Sequence, residues 1–204
     1  MKVAKNLSLS KVLPWILVAG GVIGTLCSAI ITIDKFKLLE NPAFKPNCDL
    51  NPIISCGSVM QSAQSHVFGF SNSLIGLVAF PVLITVGMSI LSGAKFKRWY
   101  WLGLQLGTIL GLIFIHWLAF QTIYRIHALC PYCMVVWVVT ITTFWYTLLY
   151  NIQEKYIVVK GKWAIAAAFA RKHHLDILIF WFLVILALIL KQFWYYYGPI
   201  LGFN

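Results

Sequence analysis

The sequence contains few charged residues, and very few of them are acidic. Only 10% of its 204 residues are charged, and Asp and Glu together number five. Hydrophobic residues make up 61% of the chain and the mean hydropathy is +0.85, so the polar surface that a soluble globular protein needs is missing. The chain also has no internal repeat and no low-complexity tract. This composition excludes a soluble globule and predicts an integral membrane protein.

Five segments are apolar and long enough to cross a bilayer, which takes about 20 predominantly apolar residues in a helix. They predict an all-α integral membrane protein, a transmembrane helical bundle. We expect one domain over residues 1–204, because no polar stretch between the spans is long enough to form a second core. The first span is longer than the core of a signal peptide and no cleavage site follows it, so we expect an anchor. The predicted spans are residues 13–33, 73–92, 99–121, 130–150 and 176–193.

Basic residues are distributed unequally between the two ends of these spans. Eleven of the 16 lie on the side of the N-terminus, which the positive-inside rule therefore places in the cytoplasm. The net charge of +11 is explained by this topology and by anionic headgroups, so we expect membrane lipid and no nucleic acid as a partner. The eleven are Lys2, Lys5, Lys11, Lys95, Lys97, Arg98, Lys155, Lys160, Lys162, Arg171 and Lys172.

Two connections between the spans are long. The cytoplasmic one, residues 151–175, has an apolar stretch between basic residues that predicts a helix on the inner membrane surface. The outward one, about residues 34–72, mixes prolines and asparagines with apolar residues such as Ile53 and Phe70. This mixture predicts a loop that lies partly in the interface and closes over the bundle as a lid, with a short helix around residues 58–66.

Cys130 and Cys133 form a CxxC motif where the fourth span begins. Pro131 suits the first turn of a helix, so we expect Cys130 at the helix start, where free amides and the helix dipole lower a thiol pKa below about 8.5. Cys133 is expected one turn deeper toward the lipid, because residues three apart share a helix face. Cys130 is therefore predicted to be the more reactive thiol.

A second pair, Cys48 and Cys56, lies in the outward loop. Disulfides persist outside the cytosol, and exchange needs Cα atoms within about 7 Å, so the lid must fold onto the start of the fourth span. Two dithiols at one membrane surface indicate electron transfer between them. Two other interpretations stay open: a zinc site of four thiolates, and disulfides that only staple the loop. We favour redox chemistry, because a helix start stabilises the reduced thiolate.

The order of these motifs resembles the bacterial branch of the vitamin K epoxide reductase family. The resemblance runs from about Thr32 to Trp137, and the fifth span is similar to the extra helix of bacterial members. It implies a four-helix core plus a fifth helix, and it disfavours the other membrane disulfide-generating family, whose CxxC lies in the first outer loop. The positions that carry it are Cys48, Cys56, Ser62, Ser71, Asn72, Ser73, Gly76, Cys130 and Cys133.

The resemblance implies a thiol oxidoreductase of the cell inner membrane that passes electrons to a quinone, ubiquinone or menaquinone. It implies that Cys133 faces the quinone, that Cys130 exchanges with Cys56, and that Cys48 receives electrons from a thioredoxin-like carrier. Because no such domain follows the fifth span, we expect the carrier to be a separate protein. Reduction of a quinone epoxide is the alternative within the same chemistry.

The resemblance also implies roles for three residues without sulfur. Ser62 matches a serine associated with catalysis, and Asn72 matches an asparagine associated with binding a quinone carbonyl. A tyrosine is common in the family at the position of Trp137, whose indole N–H can donate a hydrogen bond but cannot accept one. Without the resemblance, Ser62 is interpreted as a hydroxyl bonded to its own backbone and Asn72 as a helix cap.

Three residues inside the spans carry weaker expectations. Gln105 and His116 lie at membrane depth in the third span, and we expect them to form hydrogen bonds between helices. Cys27 lies in the first span, where a lone thiol usually fills space as a small apolar group.

Overall fold

The structure, a computed structural model, describes residues 9–200 and the side chains of residues 9–198. In this part of the chain, five helices are long and apolar enough to span a membrane. The protein is a multi-pass membrane protein, and the predicted all-α bundle is confirmed. In chain order the helices are α1 Leu9–Glu40, α2 Cys56–Gln61, α3 Ser73–Leu91, α4 Arg98–Gln121, α5 Pro131–Gln153, α6 Lys162–Lys172, α7 His174–Gln192 and α8 Trp194–Ile200.

The bundle has one end that carries both cysteine pairs, which we call the cysteine end. Here α1 finishes, α2 is located and α5 begins. The connection over this end is shorter than predicted, because α1 continues past residue 33 to Glu40. Charged residues at the membrane surface do not break a helix, and α1 ends directly before Asn41 and Pro42, where proline disfavours helical geometry. We therefore define the lid as residues 41–72.

Helix α1 packs closely against α3 and also contacts α5. Glycines in α1 permit this approach. A Cβ at Gly21 would lie 2.9 Å from the backbone atoms Phe80 O and Ile84 N, and a Cβ at Gly24 would lie 2.4 Å from the Phe80 ring. Small residues allow helices to approach in this way in membranes, where dispersion contacts replace the hydrophobic driving force.

Helices α4 and α7 are attached to α5 and to each other partly by buried polar groups. Asn151 Nδ2 donates to Gln105 Oε1 over 3.1 Å, which links α5 to α4. Trp181 Nε1 donates to His116 Nε2 over 3.1 Å, which links α7 to α4. The interhelical hydrogen bonds expected for Gln105 and His116 are thus confirmed.

Smaller elements differ in detail from the predictions. The helix predicted around residues 58–66 is two pieces, α2 and a 3-10 turn Ala63–His66, with Ser62 between them. Helix α4 continues into a π-helical turn, Thr122–Ile126, and His127 then adopts a left-handed conformation with φ of 56°. Helix α6 forms where the sequence predicts a helix in the other long connection.

Candidate active site

The lid is attached to the start of α5 by backbone hydrogen bonds. Ile54 and Leu129 form a parallel β-bridge. In it the Ser55 N–H donates to Leu129 O over 3.0 Å, and the Leu129 N–H donates to Ile53 O over 2.7 Å. The bridge holds the lid beside the residue that precedes the CxxC motif, so the predicted docking of the lid onto this helix is confirmed.

Cys48 and Cys56 form a disulfide within the lid, and their Cα atoms are 5.7 Å apart. Cys56 is the first residue of α2, and the Ser55 side chain caps this helix. Asp49 Oδ1 also accepts a hydrogen bond from the Gly57 N–H over 2.9 Å. Since Asp49 follows Cys48 and Gly57 follows Cys56, this bond joins the two halves of the disulfide loop without using sulfur.

Cys130 is the N-cap of α5 and Pro131 is its first residue, as predicted. The Cys133 N–H donates to Cys130 Sγ over 3.5 Å. A hydrogen bond from the Cys133 side chain lowers the pKa of the Cys130 thiol below its ordinary value, and the amides of Cys133 and Tyr132 act in the same direction. Burial and the Asp49 carboxylate oppose this, but the net result is a lowered pKa, which favours the thiolate that disulfide exchange requires.

The two cysteine pairs pack in one apolar cluster at the cysteine end. Cys56 is fully buried, Cys130 is 1% exposed and Cys48 is 7% exposed, while Cys133 is half-buried at the edge of the cluster. In this redox state the lid pair is oxidised, and Cys130 and Cys133 are free thiols. The other buried members of the cluster are Leu38, Val59, Met60 and Ala128.

The zinc interpretation requires a set of ligands around one point. Across residues 9–200, no group of three or more His, Cys, Asp or Glu side chains is arranged to hold a metal ion. The cysteines therefore have no arrangement here that supports a zinc site.

A cavity of about 170 Å³ lies next to the cysteine cluster, and Cys133 lines it. A dry apolar cavity of roughly 150 Å³ holds one benzene ring, so this space is large enough to take the redox-active ring of a quinone. Its walls are largely apolar, with amide and hydroxyl groups at one side. The two residues predicted to bind the quinone, Asn72 and Trp137, both line it.

Asn72 occupies the N-cap position of α3, but its side chain does not cap the helix. Asn72 Nδ2 instead donates to Gln64 O over 2.7 Å, which fixes the amide across the lid. Asn72 therefore stands at the helix cap position that the sequence predicts, but its side chain forms no capping hydrogen bond. Its Oδ1 atom is buried and has no hydrogen-bond partner in the protein. A buried acceptor without a donor is costly, and a hydroxyl donor from a bound molecule would satisfy it.

Ser62 lies at the end of α2 and donates to Val59 O over 2.7 Å. This is the backbone hydrogen bond that its position alone predicts. Within the described residues Ser62 is not part of the cavity wall, whereas Ser65, Ser71 and Ser73 are. The structure thus brings Asn72, Trp137 and Cys133 together and leaves Ser62 outside that group.

An apolar groove of about 460 Å³ runs between α3 and α4 and continues the cavity along the membrane-spanning part of the bundle. Ala79, Phe80, Gly111 and Thr140 line both spaces. Elsewhere the groove is lined by residues such as Trp99, whose side chain is 70% exposed. The cavity therefore has an apolar extension on the surface that faces lipid.

A comparison with protein families supports the arrangement of these residues. A family model described as Vitamin K epoxide reductase family matches residues 15–148. The chain belongs to the vitamin K epoxide reductase family. Vitamin K epoxide reductase family members are oxidoreductases that carry out disulfide and quinone redox chemistry at membranes. The match includes the lid, both cysteine pairs and the cavity, while α7 lies beyond it. No curated protein matches the chain.

Sequence reasoning missed Asp49 and Ser65, and it gave no role to Ser71 and Ser73 beyond the resemblance. Asp49 is one of five acidic residues and directly follows Cys48, so its position carried a signal. Ser65 offered none, because a serine in a polar loop has no pattern that distinguishes a cavity-lining hydroxyl from a solvated one.

Proposed function

We propose that this protein is a thiol:quinone oxidoreductase that generates disulfides by reoxidising a thioredoxin-like carrier and reducing a membrane quinone, ubiquinone or menaquinone. The observation that carries the proposal is the position of the CxxC pair. Cys133 lines the apolar cavity, while Cys130 packs in the cluster that contains the lid disulfide. The pair thus connects a site for an apolar ring with a site for thiol exchange.

Asn72 and Trp137 are the residues that would hold the quinone ring. Asn72 offers an unpartnered acceptor, Oδ1, and Nδ2 retains a second hydrogen beside the one given to Gln64 O. Trp137, a buried residue that is 4% exposed, offers an indole N–H. When bound, the quinone supplies an acceptor for two electrons and two protons.

The thiol steps supply the two electrons that this acceptor takes up. Cys130 and Cys133 lose two electrons and two protons and form a disulfide. The Cys56 thiolate then attacks Cys130 Sγ and releases Cys133, and the Cys48 thiolate attacks Cys56 Sγ and releases Cys130. The lid disulfide is restored and the CxxC pair is reduced, which is the redox state described above. A low pKa makes Cys130 a good leaving group in the second attack.

The carrier enters at the lid. Its dithiol reduces the Cys48–Cys56 disulfide through a mixed disulfide at Cys48, and the carrier leaves oxidised. Cys48 is 7% exposed and Cys56 is fully buried, which supports Cys48 as the sulfur that an incoming protein reaches. The lid must move to admit the carrier, and residues 41–55 have little regular structure to resist this movement.

The proposal includes an orientation in the cell inner membrane. Of 16 basic residues, 11 fall on the side of the N-terminus, which supports a cytoplasmic N-terminus and an outward cysteine end. An extracytoplasmic compartment allows the lid disulfide to persist between turnovers.

The decisive experiment measures quinone reduction by purified protein supplied with reduced carrier. Cys133→Ser is expected to abolish quinone reduction, and Cys27→Ser, a buried thiol of α1 outside the proposed path, is expected to retain it. A carrier whose second cysteine is replaced by serine is expected to accumulate a mixed disulfide at Cys48, because its one thiolate opens the Cys48–Cys56 disulfide and no second thiol releases it. Turnover of quinone by Cys133→Ser contradicts the proposal, and a CxxC pair that stays oxidised without any trapped partner indicates a structural staple. Quinone epoxide, tested as a second acceptor, distinguishes the epoxide reductase.

A further inference from the structure

A second pocket adjoins the quinone cavity at the cysteine end. It has a volume of about 420 Å³, and its wall includes the exposed side chain of His66 together with Lys35 and Thr32. Ser71 lines both this pocket and the cavity that contains Cys133. We call it the proton pocket, for the role proposed below.

Three hydroxyl groups connect the proton pocket to the cavity. Ser73 Oγ lies 2.9 Å from Ser71 Oγ and 2.8 Å from Thr32 Oγ1. Ser71 and Thr32 line the proton pocket, and Ser73 lines the cavity. Thr32 Oγ1 also lies 2.7 Å from Ser28 O, so its one hydrogen is donated either to this carbonyl of α1 or to Ser73 Oγ. Each spacing is that of a good O–H···O hydrogen bond.

This row of hydroxyl groups matters because the proposed reaction requires protons in an apolar space. Two protons must reach the quinone with the two electrons, and apart from the Cys133 thiol the walls of the cavity contain no Asp, Glu, His, Lys or Arg side chain among the described residues. The proton pocket is lined by His66 and Lys35, whose side chains carry exchangeable protons at a half-exposed surface. Hydroxyl groups both donate and accept, so a continuous row of them conducts a proton by successive transfers.

We propose that Ser71, Ser73 and Thr32 form a relay that delivers protons from the water of the proton pocket to the quinone. The inference rests on the proposed function. Ser71 and Thr32 are two entry points: water protonates either hydroxyl as that hydroxyl passes its own proton to Ser73 Oγ, and Ser73 passes its proton to the quinone oxygen. Over one turnover the quinone gains two electrons from the CxxC pair and two protons through the relay. The two thiol protons of Cys130 and Cys133 leave to water at the same end, so no net charge crosses the membrane.

The first test compares hydroxyl variants in rapid-mixing measurements of quinone reduction by the reduced CxxC pair. Ser73→Ala is expected to slow quinone reduction by about 100-fold, a common contribution of positioned proton transfer. Ser73→Thr, which restores the hydroxyl, is expected to recover most of the rate. Ser92→Ala, the same change at the other end of α3, is expected to leave it unchanged, because Ser92 donates only to its own helix at Met88 O.

Two further readouts separate proton delivery from a structural effect. Quinone binding, measured directly on the oxidised protein, and exchange of the lid disulfide with dithiol are both expected to match wild type in Ser73→Ala. The solvent deuterium isotope effect on quinone reduction is expected to increase in Ser73→Ala, because proton arrival becomes rate-limiting. Wild-type rates in Ser73→Ala overturn the relay and show that the thiols protonate the quinone directly. Failure of the wild-type protein to reduce any quinone overturns the function and the relay together.

The last test asks, without quinone, whether water reaches the relay. In a background where Cys27, Cys130 and Cys133 are replaced by serine and the lid disulfide is kept, Ser71→Cys is expected to react with a small charged methanethiosulfonate. Val78→Cys, in the helix α3 that follows Ser71 and 72% exposed on the lipid-facing surface, is expected to stay unlabelled. If the Ser71→Cys variant is labelled by the methanethiosulfonate no more than the Val78→Cys variant, water does not reach Ser71 and the relay is overturned.

Discussion

Ile54 of the lid and Leu129 before α5 are paired in a parallel bridge, so the lid has a fixed register on the helix that carries the CxxC motif. Cys56 lies two residues after Ile54, and Cys130 directly follows Leu129. The backbone therefore brings the lid disulfide and the first CxxC thiol to the same place before any sulfur chemistry occurs. Exchange between the pairs then takes place where the lid and the start of α5 are already held together.

The register predicts which mixed disulfide forms most readily. In the double variant Cys48→Ser, Cys133→Ser, the remaining Cys56 and Cys130 are expected to cross-link almost completely under mild oxidation, because both pack in one buried cluster. In Cys48→Ser, Cys130→Ser the partner is Cys133, one helical turn deeper, and cross-linking is expected to be at least about tenfold slower. Mass spectrometry of unreduced peptides measures both. Equal rates would contradict the fixed register.

The acidity of Cys130 is predicted to depend on its neighbour in the motif. Cys133→Ala removes the side-chain hydrogen bond that lowers the pKa of Cys130, so this pKa is expected to rise. At a fixed pH below the ordinary thiol pKa, the thiolate fraction of Cys130 is then smaller. Thiolate absorbance near 240 nm, followed against pH in a Cys27→Ala background, measures the change.

A variant of Asp49 provides a control in which the pKa of Cys130 is expected to shift in the opposite direction. Its carboxylate raises the pKa of Cys130, so Asp49→Asn is expected to lower it while keeping an oxygen acceptor for the Gly57 N–H. A shift in the same direction for Cys133→Ala and Asp49→Asn contradicts the assignment of these two causes.

The contact between α1 and α3 predicts a stability difference between glycines. Gly21→Ala places a methyl group 2.9 Å from two backbone atoms of α3, which cannot rotate away as a side chain can. The free energy of unfolding is expected to fall by about 1–3 kcal/mol. Gly107→Ala in α4 has nothing within 4 Å of the new methyl group and is expected to cause no loss. Unfolding in mixed detergent micelles compares the two variants.

Asn72 is predicted to affect the binding of quinone and not the exchange between thiols and disulfides. Asn72→Leu removes both the anchor to Gln64 O and the unpartnered Oδ1, and KM for quinone is expected to rise by about tenfold or more, the effect of roughly 1.4 kcal/mol in binding. Reduction of the lid disulfide by carrier, measured without quinone, is expected to be unchanged. Loss of both activities would instead indicate that the lid has unfolded.

Trp181 in α7 offers a test of how the fifth spanning helix is held. Trp181→Phe keeps an aromatic ring but loses the N–H that donates to His116 Nε2. Hydrogen bonds between membrane helices contribute about 0.6 kcal/mol on average, so a loss of that order is expected in detergent unfolding. His116→Phe is expected to cost a similar amount, and the double variant no more than either single one. Additive losses would show that the pair does not interact.

The sequence was sufficient for those features that depend on local patterns. Hydropathy located the five spans, because crossing a bilayer requires a long apolar helix whatever surrounds it. Proline after Cys130 located the helix start, because proline suits the first turn. The spacing of the cysteines and of Asn72 supplied the family, which the match over residues 15–148 confirms.

The remaining features depend on tertiary contacts that no local pattern encodes. Asn72 sits where a cap is expected, yet Gln64 O from the lid offers its amide a better partner. The length of α1 was underestimated because charged residues near the interface end an apolar run without ending a helix. The bridge between Ile54 and Leu129 joins segments far apart in the chain, so it follows only from the folded arrangement.

Under the proposed function, the groove between α3 and α4 is the route by which the electron acceptor arrives. Its open side is the lipid-facing surface, and it joins the cavity at Phe80 and Gly111. An isoprenoid molecule can therefore enter and leave by sliding within the plane of the bilayer, without passing through water. Turnover should then follow the number of acceptor molecules per unit area of membrane, and diluting the protein into empty vesicles should slow it even when the bulk concentration is held constant.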